Sequence, residues 1–171
     1  MMKNIILVGF PGAGKTTIGN KLAKRLNRPF VDLDAAIEIH YKASIPHLFQ
    51  QYGEFAFRKC ERAVLKNILK QDSLVLATGG GAPCFEDNMD IMTASGLTVY
   101  IKLPKDMLVE RLRHSHRIRP NTSYLSDSAL QKYVEDTLPE REKYYNQAQI
   151  IVSGENLNLE ELIRILSRPV P

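Results

Sequence analysis

At 171 residues, with 44% hydrophobic and 25% charged side chains, the chain has apolar material for one hydrophobic core and too little length for two ordinary ones. No apolar run approaches the roughly 18 residues of a membrane-spanning helix, the run after Met1-Met2-Lys3-Asn4 is too short for a signal-peptide core, and the nine prolines and ten glycines are scattered, so a single domain over 1–171 in the cytoplasm is expected. The formal charge of +4 is neither gathered into a Lys/Arg run nor interleaved with aromatics, which favours a small anionic ligand over nucleic acid or a membrane surface.

The first predicted element is a strand over 5–8, Ile5-Ile6-Leu7-Val8, which runs directly into Gly9-Phe10-Pro11-Gly12-Ala13-Gly14-Lys15-Thr16-Thr17. This is the G-x-x-x-x-G-K-T phosphate loop, and the helix predicted over 16–26, with Ile18, Leu22, Ala23 and Leu26 on one face, gives it the strand-loop-helix context it requires. Glycines let successive N–H groups curl around phosphate oxygens, and the helix amino end adds a favourable dipole. Nucleotide phosphates are therefore expected against Gly12, Ala13, Gly14, Lys15, Thr16 and Thr17, with Lys15 on the outer phosphates and the Thr16 hydroxyl on Mg²⁺. The loop serves many reactions and does not name the acceptor.

A second strand over 29–33 ends in Val31-Asp32-Leu33-Asp34. Read as extended chain, Asp32 and Asp34 face the same side at the ligand-binding edge of a parallel sheet, one suited to Mg²⁺ and one to an acceptor hydroxyl; capping of the following helix is the alternative, and Asp34 could do both. The helix predicted over 55–69 follows Glu54, and Glu54, Arg58 and Glu61 stand four and three residues apart, within reach of one another. On an isolated helix that is a surface ion-pair ladder. A third strand over 74–78 ends in Gly79-Gly80-Gly81, where either unusual backbone angles and close ligand approach or simply a flexible turn is expected.

Beyond these come a strand over 98–103, a helix over 106–113, a polar and basic stretch from Arg113 to Leu125, a helix over 127–146 that Pro139 ends or kinks, a strand over 149–152 and a helix over 159–167. The polar stretch reads as a lid, about 114–125, which would exclude water and bring positive charge over the phosphates. Strands alternating with helices predict an α/β fold with a parallel sheet of five strands. Cys60 and Cys84 lack metal-ligand spacing and predict no chemistry, and His40, His47, His114 and His116 form no ligand pattern and are expected at the surface.

Taken together, the phosphate loop, Asp32-x-Asp34-x-x-Ile37-Glu38, Gly53-Glu54-x-x-Phe57-Arg58-x-x-Glu61, Gly79-Gly80-Gly81 and Glu140-Arg141-x-x-Tyr144-Tyr145 resemble the shikimate kinases over nearly the whole chain. The resemblance implies a P-loop kinase, a three-layer α/β/α sandwich similar to nucleoside monophosphate kinases, with a substrate-binding region at about 32–61 and a lid. It implies that ATP phosphorylates the 3-hydroxyl of shikimate, a small ring acid, with Mg²⁺ as cofactor and a monomer as the working form. Carried over by position, Asp34 would contact the reacting hydroxyl, Arg58 and Arg141 would grip the carboxylate, and Gly79, Gly80 and Gly81 would present backbone donors. Asp32, through water, and Thr16 would arrange Mg²⁺, and Arg111 resembles an adenine-stacking arginine, a solvated helix arginine being the alternative. The lid arginine falls on Arg119, with Arg117 as a near neighbour, but Asn121-Thr122-Ser123 stands where the family has apolar residues. Pro46-His47 replaces helix-friendly acidic residues, a departure expected to alter how the substrate region closes. A kinase for another hydroxy acid such as gluconate, and a non-catalytic nucleotide-binding module, are the competing readings.

Overall fold

The structure, a computed structural model, describes residues 3–115 and 121–167. Five strands, β1 (Asn4–Val8), β2 (Phe30–Asp32), β3 (Val75–Ala77), β4 (Gly96–Lys102) and β5 (Ile150–Ser153), form one parallel sheet in the order β2-β3-β1-β4-β5. All five lie on strands read from the sequence, because each is an apolar run bounded by polar or turn-forming residues. Every residue of β1 is buried, so both faces of the sheet are covered, as a parallel sheet built from crossover helices requires. In register, Ile5 stands between Val75 and Leu97, and Leu7 between Ala77 and Val99, placing the carboxyl ends of β1, β3 and β4 along one edge.

The helices are α1 (Lys15–Leu26), α2 (Leu33–Tyr41), α3 (Ile45–Ile68), α4 (Asn88–Ser95), α5 (Lys105–Arg113), α6 (Asp127–Tyr145) and α7 (Leu159–Leu166). A short 3₁₀ turn, Ala82–Cys84, follows the glycine triplet. Pro139 lies inside α6 and does not end it.

Three helical segments exceed the sequence expectation. Strand β2 stops at Asp32 because that residue, extended at φ −96° and ψ 120°, is the N-cap of α2, its carboxylate accepting the Ala35 N–H at 3.2 Å. Asp34 therefore sits on the first turn of a helix, and the alternation argument that paired it with Asp32 does not describe its geometry. Helix α3 begins at Ile45, ten residues before the expected start at Phe55, with Ser44 as its cap. Pro46 falls in the first turn, where the missing N–H breaks no intrahelical bond, so the Pro46-His47 departure leaves the helix intact. Gly53, at φ 78° and ψ 166°, breaks α3 between an amino-terminal segment and the segment that carries Arg58. Helix α4 was not expected; within it only Asn88, Met89 and Met92 are buried, too few to give a helical period.

Candidate active site

The loop after β1 is held open by three left-handed or otherwise glycine-specific conformations, Gly9 (φ 145°), Gly12 (φ 87°) and Gly14 (φ 92°). Gly14 caps α1 without a side chain, which leaves the helix amino end facing the loop. The Lys15 ammonium, nearly buried, donates to the carbonyls of Gly9 at 2.7 Å and Phe10 at 3.0 Å. The Thr16 hydroxyl donates to Asp32 at 2.7 Å. Asp32 thus does two jobs at once, capping α2 with one oxygen and meeting Thr16 with the other. A hydroxyl and a carboxylate side by side at the loop are hard oxygen donors of the kind Mg²⁺ takes.

A cavity of about 380 Å³ runs from this loop to α3, where Ile45, Phe49, Phe57, Arg58 and Glu61 line it. At the nucleotide end it is lined by Gly12, Gly14, Lys15, Thr16, Thr17 and Arg111, with Asp32 at the side. Ala13 is not among the lining residues: it is buried, and its N–H turns to the Phe10 carbonyl at 3.1 Å. Arg111 is exposed, and its Nη1 lies over the loop, 3.4 Å from the Gly12 carbonyl and 3.5 Å from that of Ala13. Ser115, Asn121 and Thr122 also face the cavity. Arg117, His116 and the expected lid arginine, Arg119, lie outside the described residues.

At the opposite end Asp34, Arg58, Arg141 and the glycine triplet meet. None of the three glycines has a positive φ; their value is close approach. A Cβ on Gly79 would stand 2.7 Å from Asp34 Oδ1 and 3.2 Å from Glu61 Oε1, one on Gly80 would overlap Pro11 and stand 3.1 Å from Arg141 Nη1, and one on Gly81 would overlap the Arg58 guanidinium. Two adjacent residues thus receive two arginines from distant segments. Among the described residues, the N–H groups of Gly79, Gly80 and Gly81 donate to no protein acceptor.

Each arginine is held from behind. Arg58 donates to Glu61 at 2.6 Å and ion-pairs with Glu54 at 3.5 Å, and its guanidinium lies 5.8 Å from the Phe49 ring and 5.3 Å from the Phe57 ring. Arg141 donates to the Tyr133 hydroxyl at 3.2 Å and lies 5.3 Å over the Phe10 ring. The wholly buried Tyr145 donates its hydroxyl to the Gly80 carbonyl, and burial pushes its ionisation far up. Glu61 is 1% exposed; burial pushes its carboxyl up to about 7, against the pull of Arg58, with Asp34 adding to the rise. Burial likewise pushes the Cys84 thiol up to about 11 although both guanidiniums oppose it, so the thiol stays protonated.

The expected residues that the structure describes, Ala13 apart, are brought to one cavity. The sequence reading brings Glu61 within reach of Arg58 and carries Phe10 and Pro11 in the phosphate loop and Tyr145 in the Arg141 pattern, but gives none of them a place behind the arginines, and does not single out Tyr133.

Residues 11–168 match the profile of the shikimate kinase family. A shikimate kinase of Azobacteroides pseudotrichonymphae genomovar. CFP2 is 41% identical over 166 residues, covering 96% of this chain and 98% of its own. The crystal structure of a shikimate kinase from Bacteroides thetaiotaomicron superposes with a TM-score of 0.93 at 37% identity, over 98% of this chain and 100% of that one. A shikimate kinase from Acinetobacter baumannii, solved in complex with shikimate, gives a TM-score of 0.86 at 32% identity, over 97% and 93% of the two chains.

Proposed function

The chain belongs to the shikimate kinase family, and from that premise we propose how its residues divide the work. The enzyme transfers the terminal phosphoryl group of ATP to the 3-hydroxyl of shikimate. The acceptor carboxylate lies between Arg58 and Arg141, whose guanidiniums supply fork-shaped donors matched to a carboxylate, a fit that lysine lacks. Gly79, Gly80 and Gly81 add main-chain donors to the ring substituents. Bound this way, the ring presents its reacting hydroxyl to Asp34, which orients it toward the phosphate and takes its proton. Phosphoryl transfer passes through a loose transition state, so alignment and charge neutralisation carry more of the rate than base strength.

At the other end the loop amides and Lys15 neutralise the outer phosphates, and Arg111 offers its guanidinium face to the adenine. ATP-using kinases work with a divalent metal; Thr16 and Asp32, the latter through water, are the residues that would hold Mg²⁺, which when bound shields phosphate charge. Arg119 is proposed as the lid arginine that completes the phosphate shell. The lid at about 114–125 and the acceptor region at about 32–61 belong to one domain, and the enzyme is taken as a cytoplasmic monomer.

The observation that carries this assignment is the arrival of Arg58 and Arg141 at adjacent glycines beside Asp34, across one cavity from Lys15. The test is ADP release with ATP and Mg²⁺ over a panel of hydroxy acids. Shikimate is expected to give turnover and gluconate background. Turnover with gluconate and not shikimate, or ATP binding without turnover on any acceptor, would overturn the assignment.

A further inference from the structure

The two ends of the cavity are not independent. Phe10, in the phosphate loop, is almost wholly buried, and its carbonyl accepts from the Lys15 ammonium at 3.0 Å and the Ala13 N–H at 3.1 Å. Its position is therefore set by the same groups that meet the phosphates. Its side chain points the other way. The Arg141 guanidinium lies 5.3 Å over its ring, and Tyr133, which accepts from Arg141 at 3.2 Å, leans on the same ring at 6.3 Å and 51°. The next residue, Pro11, abuts Gly80, which leaves no room for a Cβ there. Two consecutive residues of the nucleotide loop thus touch both the arginine and the glycine of the acceptor clamp.

We propose that Phe10 is a positioning residue that couples nucleotide binding to acceptor binding by serving as the shelf on which Arg141 rests. The proposal rests on the reading of Arg141 as a ligand of the acceptor carboxylate. A phosphate oxygen competes with the Gly9 and Phe10 carbonyls for the Lys15 hydrogens, so a bound nucleotide redefines where Phe10 sits. Because Phe10 supports the guanidinium through its aromatic face, that adjustment is felt where the carboxylate docks. The reverse holds by linkage: whatever factor ATP applies to shikimate affinity, shikimate must apply to ATP affinity. An aliphatic residue of similar bulk would fill the space yet lose the attraction between ring face and cation.

The experiment measures shikimate affinity calorimetrically on the full chain, with and without a saturating non-hydrolysable ATP analogue and Mg²⁺. In the unmodified enzyme the analogue is expected to tighten shikimate by about fivefold or more. In Phe10→Leu that ratio is expected to fall by about threefold or more. Phe10→Met, which also lacks a ring face, repeats the test should the leucine variant not fold. A general loss of stability would weaken both affinities without changing their ratio, so the ratio separates coupling from packing. A ratio of one in the unmodified enzyme, or the same ratio in the Phe10 variants, overturns the coupling. Arg141→Lys locates a different failure: it is expected to weaken shikimate alone by tenfold or more, and unchanged affinity there removes the carboxylate reading and the coupling with it.

Discussion

Glu61 is a carboxyl whose ionisation the fold resists, and that makes the pH dependence of stability a direct test of the site's electrostatics. Its carboxyl is pushed from the ordinary 4.5 up to about 7, first by burial and further by Asp34, with Arg58 only partly offsetting the rise. A folded-state value above the unfolded one means that the native protein holds the extra proton between the two. The group's contribution is fully present below about 4.5, declines as pH rises, and is lost above about 7. The full window corresponds to about 3 kcal/mol, and the part between pH 5 and pH 8 to about 2 kcal/mol. Glu61→Gln keeps the shape and an acceptor for Arg58 but cannot ionise. Urea unfolding of both proteins at the two pH values gives four free energies. The variant is expected to gain about 2 kcal/mol relative to the unmodified enzyme on moving from pH 5 to pH 8. The amide does not titrate, so its contact with Arg58 contributes equally at both pH values and cancels in that double difference. A double difference within about half a kcal/mol of zero would refute the placement of Glu61 as a buried, unwillingly charged group.

Arg58→Ala should raise the KM for shikimate by more than about tenfold while leaving that for ATP within about twofold, since a removed member of a buried charge pair typically costs about 2 to 5 kcal/mol; equal losses for both substrates would contradict the assignment. Gly81→Ala should imitate it, because the added methyl takes the space of the Arg58 guanidinium and pushes it off Glu61 and the Phe49 and Phe57 rings, with some loss of fold stability as well; unchanged steady-state kinetics would count against the clamp. Tyr145→Phe leaves the Gly80 carbonyl with only the weak Cys84 thiol as donor, at 4.0 Å, and should cost about 1 to 3 kcal/mol in denaturant unfolding. Lys15→Met should lower kcat by about a hundredfold or more with shikimate binding retained, as measured by single-turnover phosphate transfer.

What the sequence reveals and what it hides follow one physical line, the range of the interactions involved. The phosphate loop is legible because its conformation is dictated residue by residue: glycines at Gly9, Gly12 and Gly14 where φ is positive, then Lys15 and Thr16. The strands are legible because residues buried on both faces leave unbroken apolar runs, as in Ile5 to Val8. Helix α2 hides because it is nine residues long and buries only Leu33 and Ile37, a single turn's worth of period. The first part of α3 hides behind Pro46, which reads as a breaker until Ser44 is known to be the cap. Capping by Asp32 or Asp34 is an open alternative in the sequence, but which of them caps is decided by the backbone that follows, and it is Asp32 that ends its own strand. The seat of Arg141 on Phe10 lies beyond any local pattern, because it joins the phosphate loop to a helix near the other end of the chain.

The strand order explains why the glycine triplet has to be glycine. Chain order would put β2 beside β1, but β3 lies between them. The segment leaving β3 therefore emerges with the phosphate loop on one flank and the start of α2 on the other. Gly80 meets Pro11 of the loop, and Gly79 meets Asp34 of α2 and Glu61 of α3. Thr78 anchors the segment by donating both its N–H, at 3.1 Å, and its hydroxyl, at 3.0 Å, to the Leu7 carbonyl of β1. Any side chain on Gly79 or Gly80 would wedge the two flanks apart and, on the proposed assignment, separate Asp34 from the phosphate loop. A displacement of about 1 Å is enough to cost such a reaction roughly a hundredfold in rate. Of the properties expected of three consecutive glycines, unusual backbone angles, close approach or a flexible turn, it is close approach that this position uses.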